Sequence, residues 1–175
     1  HRSLETGSRD RASYVLEQGK VRFVLTTPLT ADSEIAEHLR RHGDGVRDVA
    51  IAVEDADASF QTALERGARK VRDLTVLEDE SGTVKLASIA TYGDVIHTFV
   101  ERRGYRGVFL PGYQAVTPAA DVARPTGLAY VDHVVGNVEL GQMEEWVRFY
   151  RDVLGFHVYQ HFDDKDISTE YSALM

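Results

Sequence analysis

Two runs rich in β-branched and aromatic residues, ASYVLEQ at 12–18 and KVRFVLTT at 20–27, flank Gly19 and predict a hairpin. Asp32 and Ser33 can cap a helix that runs through His42. Ile35, Ala36 and Leu39 share one face of it and Gly43 ends it. Residues 46–54 read as a strand. A helix follows over 55–66, capped by Asp55 or Asp57, with Phe60, Ala63 and Leu64 at helical spacing and Gly67 behind it. Residues 69–77, 83–91 and 94–102 read as three strands, with Gly82 and Gly93-Asp94 at the turns. The stretch 103–127 loses all periodicity and holds Pro111, Pro118 and Pro125, as a linker does. The pattern then returns: a strand at 128–138, a helix over Met143–Leu154 with Met143, Val147, Tyr150 and Leu154 in one stripe, and Gly155 as its stop. Strands at 156–162 and 168–175 complete the chain.

The plan repeats. A strand at 48–53, a helix and Gly67 are echoed by a strand at 132–138, a helix and Gly155. A period of this size means duplicated β-α-β-β-β modules rather than a solenoid. The expected class is therefore α+β, with paired modules curling their sheets around a cavity. The chain opens with His1 and stops at Met175 inside an apolar stretch, so we expect a segment of a longer polypeptide, short of one module's first strand and helix.

Charge and composition narrow the partners. Asp and Glu total 28 against 20 Lys and Arg, a net charge of -8, which suits neither nucleic acid nor an anionic membrane surface. The opening HRSLETGSRD lacks the apolar core of a secretory signal, and we expect a cytoplasmic protein. Cysteine is absent, so disulfides, zinc knuckles and thiol nucleophiles drop out. Any metal site must draw on His, Asp or Glu.

His133 is the first candidate. Strand alternation puts Val131, His133 and Val135 on one face. A neutral imidazole there suits a divalent metal, and equally suits a core histidine bonded to the backbone. His97, His157 and His161 read as structural or solvent-facing; the last two, four apart on a strand, stand ~13 Å apart, too far to share an ion. His38 and His42 have ligand spacing on a helix, but His42 also suits the dipole at the helix end. Asp163-Asp164-Lys165-Asp166 lacks the Gly and distal Glu of a calcium loop. Gly43-Asp44-Gly45 precedes a strand, the wrong order for a phosphate loop, and no nucleophile elbow occurs.

The run Val131-Asp132-His133-Val134-Val135-Gly136-Asn137-Val138-Glu139-Leu140-Gly141, then Met143-Glu144-Glu145-Trp146 and Phe149-Tyr150, resembles the bacterial 4-hydroxyphenylpyruvate dioxygenase family. The same family is matched in order by Ala12-Ser13-Tyr14-Val15-Leu16, His42-Gly43-Asp44-Gly45-Val46, Ala90-Thr91-Tyr92-Gly93, Leu110-Pro111-Gly112-Tyr113 and Asp166-Ile167-Ser168-Thr169-Glu170-Tyr171-Ser172-Ala173-Leu174-Met175. The resemblance implies the vicinal-oxygen-chelate fold and a non-haem Fe(II) held by two histidines and one carboxylate. It implies residues 1–112 as a metal-free N-terminal domain, 113–127 as linker and 128–175 as the start of a catalytic domain. His133 falls on the first iron ligand and Val135 on the substrate pocket; no other catalytic residue falls within the chain. Asp48 and Thr98 fall where the N-terminal repeat would carry the other two ligand positions.

The implied reaction takes 4-hydroxyphenylpyruvate, an aromatic 2-oxo acid, and O2 to homogentisate and CO2, a step of tyrosine and phenylalanine catabolism. It comes with a homo-oligomeric state. The alternatives are 4-hydroxymandelate synthase, or a non-catalytic binding or scaffold relative of the same fold.

Overall fold

The computed structural model describes residues 1–117, 124–162 and 172–174. They form two compact units: His1–Gly45, Leu77–Val84 and Arg103–Val135 in one, Val46–Val76, Lys85–Arg102 and Gly136–Met175 in the other.

In the first unit, β1 (Arg11–Gln18) and β2 (Val21–Pro28) pair antiparallel around Gly19-Lys20, the expected hairpin. Gly19 has φ 57°, the left-handed start of a two-residue turn. A Cβ there would lie 2.6 Å from the Ala129 carbonyl oxygen, which accepts the Lys20 N–H at 2.7 Å. Gln18 Oε1 accepts from the Thr126 hydroxyl and the Leu128 N–H, at 2.7 and 2.8 Å. Helix α1 (Glu34–His42) is capped by Ser33, whose hydroxyl accepts the Ala36 N–H, and ends where Gly43 N–H donates to Leu39. Tyr14 stands opposite Leu25, and Leu16 opposite Phe23, on one face of the hairpin. All four are about half exposed, an apolar face without a core beneath it.

A β-α-β-β-β module follows, all of it in the second unit except the β4–β5 turn region Leu77–Val84: β3 (Ile51–Ala52), α2 (Ala56–Glu65), β4 (Lys70–Asp79), β5 (Gly82–Ala90) and β6 (Ile96–Glu101). The sheet order is β3-β6-β5-β4, with β3 parallel and β5 antiparallel to β6. Of the two capping candidates Asp55 acts, its carboxylate accepting the Ala58 N–H at 2.9 Å. Glu101 accepts a second free donor, the Ala56 N–H, at 3.0 Å and pairs with Lys85. These contacts, the backbone bond foremost, hold its carboxyl below the usual range. Ala56, Phe60 and Ala63 of α2 close on Ala87 and Ile89 of β5 and Phe99 of β6. Val153 of α3 (Met143–Leu154) joins that core, and α3 ends at Gly155 as expected. β7 (Gln160–Phe162) and β8 (Ser172–Leu174) form a short antiparallel pair.

Three strand expectations are corrected. Of 46–54 only Ile51–Ala52 pair, with one further bridge from Asp48 to Ile96. The ladder is interrupted by side chains: the Thr98 N–H goes to the Asp48 carboxylate and the Val49 carbonyl to the His97 ring, while Val49 N–H to Ile96 and Ile96 N–H to Arg47 remain backbone bonds. The stretch 128–138 forms no strand: the Leu128 N–H and the Ala129 carbonyl go to the Gln18 side chain and the Lys20 N–H at the hairpin turn rather than into a ladder. The strand at 156–162 shortens to Gln160–Phe162. The remainder of 168–175 outside Ser172–Leu174, and the Asp163–Asp166 cluster, lie outside the described residues.

Phe60 is 2% exposed and Phe23 55%. Phe60→Ala should therefore cost about 3–5 kcal/mol and Phe23→Ala under about 1 kcal/mol in urea unfolding of this chain. Equal losses would contradict the placement of the core.

Candidate functional site

His133 lies in the irregular stretch before Gly136. Its side chain is 62% exposed, and Val135 beside it is 71% exposed. The imidazole Nδ1 is 2.7 Å from the Asp132 carboxylate. A carboxylate can only accept from that nitrogen, so Nδ1 carries the proton and Nε2 is left as the basic nitrogen. That is the arrangement by which carboxylates orient metal-binding histidines. The strand face expected to bring Val131, His133 and Val135 together is not formed among the described residues. Nor does any group of three His, Asp or Glu side chains able to hold a metal occur among them. One imidazole is not an iron site, so the described residues alone do not fit the metal that the fold family uses.

His38 and His42 stack at 4.7 Å between ring centres at the end of α1. His157 is exposed on the stretch after α3.

The densest polar cluster lies elsewhere, in the second unit. Asp48 Oδ2 accepts the Thr98 hydroxyl at 2.5 Å and Oδ1 accepts the Thr98 N–H at 3.1 Å. With its own proton committed to Asp48, Thr98 accepts from Ser88 at 2.8 Å, a directed chain that runs from the buried Ser88 and Thr98 out to Asp48 at the surface. The two residues that the repeat sets against metal-ligand positions thus bond to each other.

His97, one residue before Thr98, is 4% exposed. Its Nδ1 lies 2.8 Å from the Val49 carbonyl and its Nε2 2.8 Å from the Tyr150 hydroxyl. A carbonyl cannot donate, so Nδ1–H donates to Val49 and Nε2 accepts from Tyr150. Burial pushes the His97 pKa down, which keeps the ring neutral. Burial drives the Tyr150 pKa well up. The sequence placed His97 as structural; Tyr150 gave no signal, because it sits in the apolar stripe of α3.

Burial also raises the Asp48 pKa against the bonds from Thr98. The folded chain then holds this proton to higher pH than the unfolded one. Its stabilising effect is complete below the unfolded value of 3.8 and is lost as pH rises through the folded value. The stability of Asp48→Asn relative to the parent chain should therefore improve as pH is raised from about 4 to about 7 in urea titrations. A difference that stays constant with pH would contradict the raised pKa of this carboxylate.

A family model described as hydroxyphenylpyruvate dioxygenase, N-terminal, matches residues 6–110. A 4-hydroxyphenylpyruvate dioxygenase of Coccidioides posadasii (strain C735) is 43% identical over 190 residues, covering 99% of this chain and 48% of the relative. That of Xenopus tropicalis is 45% identical over 179 residues, covering 99% and 45%. Among solved structures, a mutant 4-hydroxymandelate synthase from Streptomyces coelicolor superposes with a TM-score of 0.74 at 29% identity, over 92% of this chain and 46% of its own. The chain thus spans a little under half the length of the relatives it matches. The β-α-β-β-β module, the family match over residues 6–110 and the collinear relatives agree: this chain belongs to the hydroxyphenylpyruvate dioxygenase family.

Proposed function

We propose that the chain is part of a protein that converts 4-hydroxyphenylpyruvate and O2 to homogentisate and CO2, using Fe(II). The observation that carries this is identity of 43–45% along 99% of the chain to relatives bearing that dioxygenase name. Residues 1–112 form the N-terminal domain, 113–127 the linker, and 128–175 the start of the catalytic domain. His133 supplies one iron ligand through Nε2, held in its tautomer by Asp132, and Val135 lines the substrate pocket. The exposed hairpin face of Tyr14, Leu16, Phe23 and Leu25 is covered by further residues of the same polypeptide. The full-length protein is a cytoplasmic homo-oligomer. No helix of the described residues is long and apolar enough to cross a membrane.

Bound iron would supply the oxidising chemistry. This chain's own contribution is one oriented nitrogen and an apolar wall beside it. We expect the 175-residue chain by itself to turn nothing over, since the resemblance sets only one iron ligand, His133, within it. The solved mandelate synthase shares the fold at lower identity, so its product is the natural alternative outcome.

The test is product analysis of the full-length protein with 4-hydroxyphenylpyruvate, Fe(II) and O2. Homogentisate is expected, with His133→Ala lowering turnover roughly a hundredfold or more, since a first ligand should cost at least what its supporting partners do. A hydroxymandelate product, or full activity in His133→Ala, would overturn the reading. Homogentisate formed by the 175-residue chain alone would overturn the need for ligands outside it.

A further inference from the structure

Helix α1 ends in a pair of imidazoles. His38 and His42 stand four residues apart, one turn along the same strip of the helix. Their ring centres lie 4.7 Å apart with the planes tilted by 43°. That separation has a chemical meaning. An ion about 2.0–2.1 Å from an imidazole nitrogen stands about 3.2 Å from the ring centre, so two rings sharing it at octahedral or tetrahedral angles have centres about 4.5–5.2 Å apart. The pair already stands within that range, so bringing two nitrogens onto one ion calls for ring rotation and not for movement of the backbone.

The surroundings suit a cation. His42 is the last residue of α1, where the carbonyl end of the helix dipole favours positive charge. Arg40 and Arg41 both lean onto Glu37, at 2.5 and 2.9 Å, and the Glu37–Arg41 pair occupies the adjoining strip of the helix, one position back. His42 is exposed and His38 half-buried, so an ion can reach the pair from solvent. No third His, Asp or Glu joins them among the described residues, and water would complete the coordination.

We propose that His38 and His42 form a two-nitrogen site on α1 for a borderline divalent ion of the Cu(II), Ni(II) and Zn(II) class, which clips the last turn of the helix. Imidazole suits these ions, whereas Mg(II) and Ca(II) take oxygen ligands. Fe(II) stands below Ni(II) and Cu(II) in affinity for such donors, so this site is separate from the iron of the proposed reaction and does not rest on it. The two nitrogens come together only when the turn is helical, so the bound ion favours the folded helix.

The experiment is a calorimetric titration of the 175-residue chain with Ni(II). It is done in a His1→Ala background, because a terminal histidine offers an amino–imidazole chelate of its own. One Ni(II) per chain is expected, and Mg(II) should give no binding. His42→Ala should weaken Ni(II) binding about tenfold or more, as should His38→Ala, since a ligand should cost at least what a supporting partner does. Adding Arg40→His to His42→Ala restores the number of imidazoles on a different strip of the helix, and should not recover the affinity. In amide NMR spectra, substoichiometric Cu(II) should broaden residues 34–45 before any others, a readout that needs no substitution on α1. His133→Ala should change neither measurement, which separates failure of this site from failure of the proposed reaction. No Ni(II) binding by the parent chain, parent affinity in His42→Ala or in the double variant, or Cu(II) broadening centred away from α1 would overturn the site.

Discussion

Ile51 beside Phe99 and Ala52 beside Val100, the two residue pairs of the parallel β3–β6 contact, close the module. The contact joins stretches almost fifty residues apart and is extended by Val53 N–H to Val100 and Ile96 N–H to Arg47. Everything polar inside the second unit follows from that register. It sets Asp48 against Thr98 and Val49 against His97, and it brings Glu101 to the first turn of α2. A one-residue slip would turn each of those side chains to the other face of the sheet.

Elements whose signals are local were legible in the sequence. Ser33 and Gly43 bound α1, Asp55 starts α2 and Gly155 ends α3, because a cap needs only residues within one turn. Gly19 marked the hairpin for the same reason. Strands were legible only where their partners lie in the described residues. The stretch 128–138 carries the β-branched residues of a strand, yet alternation states only a capacity to pair, and no ladder forms along it among the described residues. The same lack leaves Tyr14, Leu16, Phe23 and Leu25 in solvent, since a hairpin face is buried by another layer or not at all.

The site divides along similar lines. His133 stood out through a collinear resemblance spanning the chain, and its tautomer is now set by Asp132. Its companions for a metal could not be read, because the described residues supply no further ligands around it. The bond between Tyr150 and His97 was not legible for a different reason. Each member looks like ordinary core in its own element, and only the packing of α3 on the sheet, some fifty residues further along the chain, brings the Tyr150 hydroxyl to the imidazole.

The account stands on Nε2 of His133 being a metal-binding nitrogen once the rest of the polypeptide surrounds it. A crystal structure of the ferrous full-length protein tests that most directly. The expected result is iron bonded to Nε2 of His133, with Nδ1 still donating to Asp132. Iron held by a ligand set without His133, with that imidazole still in solvent, would contradict it.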